Sequence, residues 1–129
     1  MTERAMEGLT RRERQIMDVV YRLGSATVAE VRAEIPNPPS YSTVRALIGV
    51  LTEKGQLTYE TDGPRYVYRA TTPREEASTS ALERVINTFF DDSPTQAMAA
   101  LLDLSGGELT DEELDRLEAL IHEARTEGR

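Results

Sequence analysis

The sequence predicts a mainly α-helical chain with one small β-hairpin, and three observations carry that prediction. A hydroxyl residue followed three positions later by Glu or Gln, the signature of a capped helix start, precedes a helical-period apolar pattern at five places. A single stretch, 57–70, is instead rich in Thr, Tyr and Val around a central Asp-Gly-Pro, as two strands and a turn require. Near residues 70–73 the character shifts from this mixture to helix alone.

Each element follows from its residues. Residues 1–8 are polar and unpatterned and read as a flexible N-terminal arm. "TRRE" at 10–13 opens the first helix; Ile16, Val19, Val20 and Leu23 recur on one face until Gly24, which accepts the left-handed backbone that ends a helix. "TVAE" at 27–30 opens a short second helix through Val28, Val31 and Ile35, closed by the prolines at 36–39. A third runs from near Ser40 to Gly55. In 57–70 the Asp62-Gly63-Pro64-Arg65 stretch marks the turn, and proline's inability to take positive φ argues for a four-residue loop rather than a two-residue one. "TPRE" from Thr72 predicts an N-cap with Pro73 at the first helical position, ahead of Ala77, Ala81, Leu82, Val85, Ile86, Phe89 and Phe90. "SPTQ" at 93–96 caps a fifth helix that Gly106-Gly107 terminates. Thr110 and Glu113 box the start of the sixth, where Leu109 can staple onto Leu114 ahead of Leu117, Ile121 and Ala124.

Helix, short helix, capped helix, hairpin is the order of a winged helix-turn-helix, whose third helix enters the DNA major groove while the hairpin lies along the backbone. At 100° per residue the third helix turns Val44, Leu47, Ile48 and Leu51 one way and Ser42, Arg45, Ala46, Gly49 and Glu53 the other. Ala46 and Gly49 are small enough to let the backbone sit deep in a groove, and Arg45 has the paired donors that fit a guanine edge. Tyr41, Ser42 and Thr43 stand at the positive end of the helix dipole, placed for phosphates or bases, and Arg65 at the hairpin tip is placed for a phosphate. The alternative is plain: Arg45 and Arg65 as solvated surface charges, Gly49 as a helix-weakening accident. Of Arg11, Arg12 and Arg14, at least two read as surface charge.

Charge is distributed unevenly. The formal net charge is −8, yet residues 1–70 carry +1 and residues 71–129 carry −9, so the half with the DNA-binding signature is not the acidic one. No cysteine is present, which excludes a disulfide framework and thiolate metal sites. The lone His122 lies among Glu and Leu residues with no soft second ligand and reads as a solvated helix residue, so no metal or other cofactor is expected. No stretch approaches the ~20 apolar residues of a membrane span, and the N-terminus lacks a signal-peptide run; the expected location is cytoplasmic, without membrane association. Catalysis has no support either: Asp91-Asp92 and Glu112-Glu113 are adjacent rather than convergent, and no nucleophile with its base, phosphate loop or metal cluster is present. The expectation is not an enzyme.

The stretches "LTRRERQIMDVVYRLGSATVAEVRAEI", "YSTVRALIGVLTEKGQL" and "GPRYVYRA", with the helical remainder, resemble the penicillinase-repressor (BlaI/MecI) family of bacterial transcriptional regulators over residues 9–125. The resemblance implies a homodimeric repressor with a winged helix that binds a palindromic double-stranded DNA operator, over residues 9–71, and a helical dimerisation domain over 72–129. Ser42, Thr43 and Arg45 match family positions that touch DNA; Val50 stands where many members have arginine. Relatives cleaved at an Asn-Phe bond have here only "AALLDLSGG", and copper-responsive relatives use cysteines this chain lacks, so an inducer or sensor protease stays unidentified.

A helical segment of this length is too short to bury its own apolar residues. Leu82, Val85, Phe89, Phe90, Leu101, Leu102, Leu114, Leu117 and Ile121 are therefore expected at a homodimer interface, the alternative being that they pack back on the first half as one core. The rival function is a winged helix that makes only protein contacts, without DNA specificity.

Overall fold

The computed structural model describes residues 8–128. The order is α1 (Arg11–Leu23), α2 (Val28–Glu34), α3 (Tyr41–Glu53), β1 (Leu57–Asp62), β2 (Arg65–Ala70), α4 (Arg74–Phe89), α5 (Pro94–Ser105) and α6 (Asp111–Glu127). It is a winged-helix architecture: six helices and one antiparallel two-stranded sheet among the described residues. The chain divides into two compact units between Val85 and Ile86. Most of the expected N-terminal arm, residues 1–7, lies outside the described residues.

In the first unit, capping does what the sequence signals. Thr10 and Thr27 each accept from the backbone N–H of the glutamate three positions on, and Glu13 and Glu30 reach back to the cap N–H, so both boxes are closed. Ile16, Met17, Val20, Val31, Val44, Ile48 and Leu51 are fully buried and join α1, α2 and α3 around one core. Full burial of each such side chain contributes about 1.5–3 kcal/mol, which makes this cluster what fixes α3 in place.

Two ends of α3 are tightly set. Ser40 Oγ accepts from the Thr43 N–H at its start. At its finish, Gly55 has φ +81°, the Gly55 N–H bonds to the Thr52 carbonyl and the Gln56 N–H to the Leu51 carbonyl, the paired bonds of a Schellman ending. The motif residue Lys54, whose role the sequence left unassigned, closes a second lock. Its Nζ lies 2.9 Å from Glu13 Oε1 and ties the C-terminal end of α3 to the first turn of α1. Glu13 is almost wholly buried, and the Thr10 N–H and the Lys54 ammonium hold its carboxyl below the ordinary glutamate value, against the effect of burial.

The hairpin corrects one expectation. Asp62 pairs directly with Arg65, leaving Gly63-Pro64 as a two-residue turn rather than a four-residue loop. Gly63 has φ +63° while Pro64 does not have positive φ, and a II′-type turn needs it only at the first central residue. Proline is thus accommodated. An unanticipated rung extends the sheet: the Ala26 N–H donates to the Tyr68 carbonyl at 3.0 Å and the Tyr68 N–H to the Ala26 carbonyl at 2.8 Å. The start of α4 is also corrected by one residue. The Pro73 carbonyl accepts from the Ala77 N–H, so proline precedes the first helical residue, while the Thr72 carbonyl accepts from Tyr21 Oη at 3.1 Å.

In the second unit, Ser93 caps α5 with Pro94 at its first position, Gly106 ends it in left-handed conformation, and Thr110 and Glu113 box α6. Asp91 and Asp92 both have positive φ, 53° and 61°, in the turn before α5. Packing is sparse: Ala97 is the one buried residue of α5, and none of α6 is buried.

Candidate nucleic-acid interface

The outward side of α3 is as bare as its residue sizes suggest. Val44, Ile48 and Leu51 are inaccessible and Leu47 packs partly against the core, whereas Ser42, Thr43, Arg45, Ala46, Gly49 and Glu53 are exposed. Gly49 has no backbone need to be glycine: its φ is not positive, and a Cβ there would meet nothing within 4 Å. Its smallness is therefore not explained by packing within the chain. The family position occupied by Val50 is also outward, with 39% of its surface exposed.

At the N-terminal end of α3, Ser40 Oγ donates to Thr43 Oγ1 at 2.9 Å and lies 3.2 Å from Ser42 Oγ. This hydroxyl cluster stands beside the unpaired N–H groups of the first turn, a combination that favours anionic oxygen. Tyr41, next to it, is half exposed.

Tyr41 and Arg45 line a cleft of about 370 Å³ that opens between α3, the start of α2 and the hairpin, with Arg65, Tyr66 and Tyr68 on the hairpin side. Ser42 and Thr43 are not part of its lining. Strand alternation accounts for the tyrosines of the hairpin's wall: Tyr59, Tyr66 and Tyr68 share one face, whereas Glu60, Asp62, Arg65 and Arg69 share the other, and Arg65 lines the cleft from the residue next to the turn. Tyr59 and Tyr66 stack at 4.6 Å between ring centroids, and Tyr66 meets Tyr68 edge-on at 6.3 Å. Burial pushes the Tyr68 phenol up and Tyr66 adds to this, an effect the nearby Arg45 guanidinium opposes. The Arg65 guanidinium is held at 3.3 Å by Asp62, its cross-strand partner, and both are about two-thirds exposed. That pair is weak enough for a phosphate to compete with it.

Several other arginines are engaged in the protein itself. Arg32 Nε donates to the Pro39 carbonyl at 2.8 Å, bracing the connection into α3, and Arg12 donates to Gln15 Oε1 at 3.0 Å. Arg22 pairs with Glu34 at 3.1 Å. Arg11 and Arg14 are exposed on α1.

The apolar residues expected at an interface fall in both units. Leu82 and Val85, at the end of the first, are exposed; in the second, Phe89, Leu101, Leu102, Leu114, Leu117 and Ile121 are exposed and Phe90 is partly buried. Phe89 shows 72% of its surface. Met98, Leu104 at 82% and Leu120 are also exposed, and the sequence reading omitted them. For Met98 and Leu104 the signal is present in α5, whose apolar residues surround the helix instead of keeping to one stripe, whereas Leu120 lies on α6. Among the described residues no helix is long and apolar enough to cross a membrane, and no group of three or more His, Cys, Asp or Glu side chains is placed to hold a metal.

Residues 9–123 match the family model described as penicillinase repressor. An uncharacterised 16.5 kDa protein from the ptsI 3′ region of Latilactobacillus sakei is 31% identical over 97 residues, 74% of this chain and 66% of that protein. The chain thus spans just under two thirds of that relative. Among solved structures, a complex of hsRosR-S4 superposes with a TM-score of 0.58 at 13% identity, covering 100% of both chains. A transcriptional regulator from Thermotoga maritima superposes with a TM-score of 0.56 at 22% identity, covering 97% of this chain and 84% of that one. These two likenesses establish the fold.

Proposed function

Because this chain belongs to the penicillinase repressor family, we propose that it is a sequence-specific DNA-binding repressor acting as a homodimer on a palindromic operator. The observation that carries the reading is the outward side of α3. It is narrow and nearly unpacked, with Ala46 and Gly49 at its centre and Arg45 beside them. A solvated helix face gains nothing from glycine, which costs about 1 kcal/mol there relative to alanine; a helix face pressed into the major groove gains room for base pairs.

Roles follow from position. Arg45 donates to a guanine edge, Ser42 and Thr43 serve phosphates near the helix start, Tyr41 lines the cleft beside them, and Arg65 exchanges Asp62 for a backbone phosphate. With a charge of only +1 over residues 1–70, few phosphates are neutralised per protomer. A salt slope of about −2 to −4 per protomer, that of two to four contacts, is the expectation. The exposed apolar side chains of α4, α5 and α6 support dimerisation, since residues of that size left in water contribute nothing to a monomer. Two-fold symmetry in turn suits a palindrome. The charge of −9 in residues 71–129 lies outside the reading helix and is screened beyond ~8 Å at physiological salt.

The Arg45→Ala substitution tests this. Against a duplex selected by the wild-type chain, loss of one base contact costs about 1–3 kcal/mol and relaxes preference at one position per half-site. Unchanged affinity and preference would instead favour a winged helix that meets only proteins.

A further inference from the structure

From the lining of the cleft between α3 and the hairpin, we infer that it is a binding site for a small planar organic anion, an aryl carboxylate of one or two rings, whose occupancy excludes DNA. Three features point there. The volume of about 370 Å³ falls within the range of small-molecule sites, at its lower end. The walls are mixed: Tyr41, Tyr66, Tyr68, Val28 and Pro64 supply rings and apolar side chains, Thr27, Arg45 and Arg65 supply polar groups, and no acidic side chain lines the cleft although the chain carries a net charge of −8. Two guanidiniums line the cleft: Arg45 has no hydrogen-bond or ion-pair partner among the described residues, and Arg65 is held only by its exposed pair with Asp62, so Arg45 is the one that meets an anion without first giving up a contact.

The stacking geometry selects a flat ligand. Tyr66 lines the cleft while Tyr59, stacked on it at 4.6 Å, does not. Tyr59 therefore backs one face of the Tyr66 ring, and a planar molecule in the cleft extends the stack from the other side. Its carboxylate then meets Arg45, whose paired donors match two carboxylate oxygens. A saturated ring of the same charge loses the stack, and a neutral aromatic loses the ion pair. Exclusion of DNA rests on the function proposed above, because Arg45 and Tyr41 are claimed by both ligands. The site itself rests on the cleft alone.

The test uses the full chain without DNA, titrated with 2-naphthoate and followed by backbone amide NMR, with 2-naphthylmethanol and cyclohexanecarboxylate as the neutral planar and saturated anionic controls. The expected result is saturable shifts centred on the cleft residues, with both controls at least about tenfold weaker. Arg45→Gln and Tyr66→Leu each weaken naphthoate about tenfold or more, while Tyr66→Phe, which keeps the ring, binds as wild type does. Retained amide dispersion shows the variants folded. No saturation, shifts centred elsewhere, or equal binding of the neutral control would overturn the site. In a second arm, naphthoate is added to the chain bound to a selected duplex: release supports the exclusion, and a ternary complex overturns it. A chain that binds no duplex at all defeats the DNA reading and leaves the naphthoate titration standing or falling by itself.

Discussion

Replacing Gly49 by alanine separates two demands that α3 satisfies together. Within the chain the change is favourable: φ at Gly49 is not positive and a Cβ would meet nothing within 4 Å. An exposed mid-helix glycine costs about 0.8–1 kcal/mol against alanine. For a chain of 129 residues that corresponds to a rise in Tm of about 3–6 °C, measured by circular dichroism at fixed protein concentration because any self-association couples to stability. DNA affinity moves the other way. A methyl group added where the helix backbone approaches base pairs overpacks the contact and costs about 1–3 kcal/mol, read by fluorescence anisotropy on a selected duplex. Stabilisation with weaker binding supports the account. Stabilisation with unchanged affinity would show that this edge of α3 meets water in the complex, and no stabilisation at all would refute the reading of Gly49 as unneeded by the fold.

Glu13→Gln keeps an acceptor at the third helical position but removes the charge facing Lys54, and should lose about 1 kcal/mol at neutral pH. Because the folded carboxyl titrates below the unfolded one, that contribution is present above the unfolded value near 4.3 and is lost as pH falls through the folded value. Urea titrations of both chains should therefore converge in acid, and a gap that stays constant would remove the charge from the explanation. Ile121→Asp, at an exposed site on α6, costs a monomer little but places an unpaired charge in a dimer interface. Sedimentation equilibrium should show a dimeric wild type and a dissociation constant raised about a hundredfold or more in the variant, whereas a monomeric wild type would count against dimerisation. Asp92→Gly relieves a left-handed backbone at φ 61° and should stabilise the chain by up to about 1 kcal/mol in thermal unfolding, and a loss of stability would refute the strain assigned to that residue.

Local rules carried most of the fold. Helix starts at Thr10, Thr27, Ser93 and Thr110 were legible because a cap and its glutamate or glutamine act within four residues. The two faces of α3 were legible because period alone separates Val44, Ile48 and Leu51 from Arg45 and Gly49. What depends on distant partners was not. Lys54 and Glu13 meet across 41 positions, the Ala26–Tyr68 rung joins a loop to a strand, and Tyr21 draws off the Thr72 carbonyl at the start of α4. The turn at Gly63-Pro64 departs from expectation for a narrower reason: proline's fixed φ excludes only a turn that needs positive φ at both central positions, and here Gly63 alone has it.

The same limit governs the candidate site. The 100° period singles out Arg45 and the helix start singles out Tyr41. Tyr66 and Tyr68 were seen only as hairpin residues, because nothing local says that the hairpin folds back beside α3 to close a cleft. Arg65 was read as a hairpin-tip charge, and its hold on Asp62 appears once strand register pairs the two.

Selection from a pool of random duplex DNA by the 129-residue chain, in dilute salt, addresses the central claim most directly. Enrichment of a symmetric site, with half-sites about one helical turn or a multiple of it apart and at least one G·C pair whose loss is tolerated by the Arg45→Ala chain, is the result expected of a dimer reading through α3. Recovery of no sequence over the starting pool, even where phosphate attraction is least screened, would contradict it.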